Sequence, residues 1–175
     1  MSDAFVELRQ RLARRHHLVG WCGLLLFLSL GIGLETFHGF KAGFYLDPAH
    51  RLRRLLWTLA HAHGTLLALV HVAFAVGLLQ FGRWTRRRVL LASFFLTDAL
   101  VLLPVGFFLG GIGHSEVDPS PLILLVPLGA LFLLAAVALI AWSASPLATQ
   151  ERPTPSSPDS SEVPGDENGR GKGGR

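Results

Sequence analysis

The sequence has one cysteine, one methionine and one tyrosine, and only 16% of its residues are charged. With Cys22 alone, an intramolecular disulfide and a cysteine-built zinc site are both excluded. Also missing is the polar/apolar alternation of a membrane barrel, so strands are not expected to cross a bilayer. Acidic residues are fewer than basic ones, 12 against 16, but the basic residues stand in short clusters beside apolar runs. That is the pattern of membrane topology and headgroup contact, and nucleic acid is not an expected partner.

What is present in quantity is apolar residue, half of a 175-residue chain. Four runs, 18–37, 55–80, 89–110 and 121–142, reach the roughly 20 residues that a helix needs to cross a hydrocarbon core of about 30 Å. The reading is an all-α membrane protein, a four-transmembrane-helix bundle over 18–142. A basic leader at 1–17 precedes it, and a tail at 143–175, rich in Pro, Ser, Gly and charge, is expected to be disordered. Leader and first run together also resemble a signal peptide. The run, however, exceeds the roughly 7–15 residues of a signal's apolar core and no small-x-small site follows, so an uncleaved first helix is expected.

Four crossings place both termini on one face, together with the 81–88 turn. That face carries Arg9, Arg11, Arg14, Arg15, Arg83, Arg86, Arg87 and Arg88, whereas the opposite face has Lys41, Arg51, Arg53 and Arg54. The larger basic count marks the cytoplasmic side. The expectation is a multi-pass protein of the cell membrane with both termini cytoplasmic.

Polar groups inside the runs carry the functional signal, because an ionisable side chain in hydrocarbon needs a partner, a cavity or a ligand. His61 and His63 stand in Thr58-Leu59-Ala60-His61-Ala62-His63-Gly64, near the start of the second run. At 100° per residue, His50, Arg54, Trp57, His61, Gly64, Ala68, His71 and Ala75 share one stripe of helix two, expected to face the bundle interior. His63 points roughly 100° or more away from it, so a regular helix cannot bring both histidines to one small ion unaided. Glu35 and His38 lie one turn apart at the outer end of helix one. The topology gathers His50, His114, Glu116 and Asp47 toward the same end, with Asp47-Pro48 marking a turn or helix start. His71 is nine residues back from Gln80 and Asp98 nine residues in from Val89, about 14 Å deep if helices two and three are antiparallel across the 81–88 turn. They are expected to be a buried polar pair, relaying protons or only hydrogen-bonding.

Three functional readings stand on these residues. The first is a histidine-ligated cofactor in the outer half. A haem would take His38 and His61, with His63 a further cofactor-binding candidate, and a transition metal would recruit Glu35, His38, His61 and His114. The second is a non-enzymatic scaffold or interaction protein whose histidines and Asp98 hydrogen-bond between helices. The third is proton-coupled transport by a homo-oligomer, four helices being few for a pore. Expected partners are the lipid bilayer and a second copy or another membrane protein.

The stretch His61-Ala62-His63-Gly64 followed by Leu66-Leu67-Ala68-Leu69 resembles the His-x-His helix of small four-helix bacterial membrane proteins, some distantly similar to haem-copper oxidase subunit I. It also has some similarity to hydroxylaminobenzene mutase, another small four-helix membrane protein. The resemblance covers this part of one helix and implies a cofactor at His61 or His63. Oxidase activity is not implied, since the chain is far shorter than the oxidase subunit and lacks its further metal-binding histidines.

Overall fold

A computed structural model describes residues 3–81, 83–112 and 118–144. Four of its helices are long and apolar enough to cross a membrane, and no strand occurs among the described residues. In chain order the α-helices are α1 (Asp3–Gly39), the single turn α2 (Gly43–Leu46), α3 (Arg51–Gln80), α4 (Arg86–Gly110) and α5 (Leu125–Ala144). The expected all-α four-helix membrane bundle is the fold observed.

The first boundary differs from the sequence reading. Helix α1 runs without interruption through the basic leader, so 1–17 is not a separate segment; its 37 residues make a helix of roughly 55 Å. The reason is that Phe5, Leu8, Leu12, His16 and Gly20 recur every three or four residues and form one stripe beneath the arginines. Leu12 and Ala13 are buried with Phe74 and Leu78 of α3 and with Val89 and Ala92 of α4. Arg9 adds a hydrogen bond from Nε to the Leu78 carbonyl, 3.0 Å away, satisfying a backbone acceptor in the last turn of α3. Of the tail expected at 143–175, Ser143 and Ala144 close α5, and the remainder lies outside the described residues.

The connection between α1 and α3 is built by local rules. Lys41 takes a positive φ of 49° where the chain reverses after α1, and the Phe37 ring meets Phe44 and Tyr45 with centroids 5.1 and 5.9 Å apart. Asp47 accepts a hydrogen bond from the Ala49 amide at 2.9 Å, and Pro48 opens a 3-10 turn that runs directly into α3. The helix start expected at Asp47-Pro48 is where the chain turns inward. At the other end, Thr85 caps α4 through the Arg88 amide, and the Arg83 amide donates to the Ser143 carbonyl at 3.0 Å, joining the α3–α4 turn to the end of α5.

The long helices pack in sequence, α1 on α3, α3 on α4 and α4 on α5, with α1 reaching α4 over a short stretch. Small residues set the separations. A Cβ added at Gly20 would lie 2.9 Å from the Ala68 carbonyl oxygen and 3.0 Å from the Val72 amide nitrogen, so α1 and α3 meet there backbone to backbone. Gly129 of α5 rests in the same way on the Leu103 amide of α4. On α3 the expected interior stripe is partly realised: Gly64, Ala68, His71 and Ala75 are buried.

Candidate functional site

Toward the end that carries α2, α1 and α3 are held apart by side chains rather than by backbone. The Phe27 ring occupies the notch at Gly64, and the His61 imidazole occupies the notch at Gly31; a Cβ at either glycine would overlap the ring facing it. Beyond these contacts the helices leave a cleft of about 700 Å³. Glu35 and His38 of α1, His61 and Thr58 of α3 and the buried Tyr45 of α2 all line it. Three of the residues singled out in the sequence, Glu35, His38 and His61, therefore share one cleft.

His61 is half-buried and has a fixed tautomer. Its Nδ1 lies 2.7 Å from the Phe27 carbonyl oxygen, an acceptor with no hydrogen of its own, so Nδ1 must donate. Nε2 is left as the lone-pair nitrogen. A backbone carbonyl on one ring nitrogen is the usual device for orienting a histidine whose other nitrogen binds a metal centre. Glu35 and His38 are exposed in the same cleft.

His63 belongs elsewhere. Its Nδ1 donates to the Leu59 carbonyl at 2.8 Å within α3, and its ring lies 4.9 Å from that of Phe107 on α4. The divergence of His61 and His63 read from the helical period is thus observed, with one facing α1 and the other α4. His114 and Glu116 lie outside the described residues.

The expected His71–Asp98 pair is not formed. Neither ring nitrogen of His71 has a hydrogen-bond partner among the described residues, and neither has Asp98 Oδ2. His71 instead meets His16 of α1 edge to face, with ring centroids 4.9 Å apart. Equal depth was the basis for pairing His71 with Asp98, but depth leaves the rotation of each helix open. On α4 the residue at the three-helix contact is Ser93, five positions and about 140° away from Asp98.

This cluster of His16, His71 and Ser93 is the part that sequence reasoning missed. His16 Nε2 lies 2.7 Å from Ser93 Oγ, the His16 ring packs edge-on to Phe74 at 4.8 Å, and both histidines are fully buried. The available signal was the three-and-four spacing of Phe5, Leu8, Leu12 and His16, which extends the apolar face of α1 into the basic stretch.

Among the described residues no three His, Cys, Asp or Glu side chains are grouped to hold a metal ion. Glu35, His38 and His61 line one cleft without closing on a point. A bare transition ion relying on protein donors alone does not fit that arrangement. No family model, curated protein or solved structure matches the chain.

Proposed function

We propose that the chain is a polytopic protein of the cell membrane, both termini cytoplasmic, that holds a haem-type cofactor in its outer cleft through His61. His38, which lines the same cleft, is the candidate second imidazole. The observation that supports this reading is the Nδ1–H donation from His61 to the Phe27 carbonyl, which leaves Nε2 as the acceptor nitrogen of the neutral ring. The cleft volume of about 700 Å³ falls within the roughly 300–1,000 Å³ of small-molecule and cofactor sites. Bound there, a haem would supply one-electron chemistry. The orientation rests on the arginine excess at the end formed by the start of α1 and the α3–α4 turn.

The test is the optical spectrum of the detergent-purified full chain, as isolated and after addition of hemin. A Soret band that is lost in His61→Ala and weakened or shifted in His38→Ala is expected. A wild-type chain that develops no such band with hemin overturns the reading.

A second reading has one observation in its favour: the same His61–Phe27 bond ties α3 to the backbone of α1. On that reading the protein is an interaction scaffold and His61 a clamp. It requires a chain that stays colourless with hemin and in which His61→Ala does no more than lower the unfolding temperature.

A further inference from the structure

At the inner end of the α1–α3 interface a second concavity opens on the lipid-facing side. It has a volume of about 410 Å³ and makes no use of the outer cleft. Its floor is Ala13 and Ala75, both buried and both small, which lets the groove sink between the helices. Its walls are apolar: Leu18 and Trp21 on α1 face Val76 and Leu79 on α3. Along α1 the groove runs from Ala13 to Trp21, two turns of helix or about 12 Å, with its apolar wall in the half toward Trp21.

The headgroup end is polar and of one sign. Arg14 and His17 line the groove there, and both are exposed. Trp21 Nε1 donates to His17 Nε2 at 3.1 Å, so the neutral His17 ring keeps its proton on Nδ1 and has that donor to offer. The neighbouring Arg11 is engaged by Glu7 at 3.1 Å; Arg14 lines a concavity with both but makes no ion pair among the described residues. An apolar groove ending in a cation and an N–H donor at headgroup depth complements an acyl chain joined to a phosphate.

We propose that this groove is a binding site for one anionic phospholipid, its acyl chain lying between α1 and α3 and its phosphate held by Arg14 and His17. The charge of the head end selects the lipid, and the small floor residues give the chain its seat.

The experiment is native mass spectrometry of the full chain released from detergent containing equal amounts of phosphatidylglycerol and phosphatidylcholine. The wild type is expected to retain phosphatidylglycerol about fivefold over phosphatidylcholine, the selectivity that one basic residue near the membrane surface supplies. Arg14→Gln brings the two lipids to parity. Arg11→Gln removes the same charge from the same helix outside the groove and leaves the preference in place. Val76→Trp fills the groove from its exposed wall and reduces retention of both lipids. The proposal is overturned if the wild type shows no preference, if Arg11→Gln and Arg14→Gln lose it equally, or if Val76→Trp retains lipid as the wild type does.

Discussion

The half of the α1–α3 interface nearer the α3–α4 turn, its inner half, and the half nearer α2, its outer half, use the same residue type for opposite ends. In the inner half, Gly20 and Gly23 bring the backbone of α1 against Ala68 and Val72, and the histidines at that level, His16 and His71, are sealed from any solvent. In the outer half, the glycines receive rings instead: Phe27 sits on Gly64 and His61 on Gly31. A ring in a notch holds two helices further apart than backbone on backbone, and the cleft opens where that change occurs. The buried histidines His16 and His71 are thus elements of packing, whereas His61 fills a notch at the edge of a cleft.

The largest effect should come from attacking the close half. Gly20→Leu forces a side chain against the Ala68 carbonyl oxygen and the Val72 amide, neither of which can rotate away. A loss of about 3 kcal/mol is expected, seen as a large drop in thermal unfolding temperature in detergent. An unchanged unfolding temperature would mean that α1 and α3 are not in backbone contact there. His16→Ala is next, at about 2 kcal/mol, because it removes a ring packed on His71 and Phe74 and leaves Ser93 Oγ without its partner. The hemin-dependent band should survive this substitution. Loss of the band in a variant that still folds would tie the inner cluster to the cofactor and break the division between the halves.

Much of this fold could be read from hydropathy alone. Four runs of about 20 apolar residues leave few arrangements but a helical bundle, and Asp47-Pro48 announced the start of the path into α3. The stripe on α3 was legible because Gly64, Ala68, His71 and Ala75 repeat at helical spacing. Two things were not legible. Hydropathy sees the lipid-facing side of a helix, so the arginines of residues 9–15 hid the apolar face that carries α1 inward to Leu12 and His16. Cutting the helix at Leu18 then removed the true neighbour of His71, and Asp98 was put in its place by depth. The sharing of one cleft by Glu35, His38 and His61 followed from topology, whereas the bond to the Phe27 carbonyl depends on a side-chain rotamer that no spacing encodes.

In the outer half, Gly31→Ala should separate ligand binding from stability. The added methyl meets the end of a flexible side chain, so His61 swings out and one hydrogen bond to Phe27 is lost. A destabilisation of about 1 kcal/mol is expected, with the hemin band abolished although every histidine remains. Retention of a wild-type band would show that the orientation of His61 by Phe27 is not what prepares its Nε2.

The smallest effect is the most discriminating for the kind of ligand. Glu35 is exposed at the rim of the cleft and has no ion-pair partner among the described residues, so Glu35→Gln should change stability by no more than about 0.5 kcal/mol. Its carboxylate is also the only acidic side chain lining the cleft among the described residues. A haem held by imidazoles does not require it, and hemin binding should change less than about threefold, as expected for a solvent-screened charge. A divalent ion held by side chains alone would require it, because neutral imidazoles supply no negative charge. Zinc binding to the purified chain, measured by calorimetry, should therefore be weak in the wild type and equally weak in Glu35→Gln. Tight stoichiometric zinc binding abolished by that substitution would make the outer cleft a metal site closed by movement of α1 against α3, and the contrast with the sealed inner half would become one of mobility as well as of spacing.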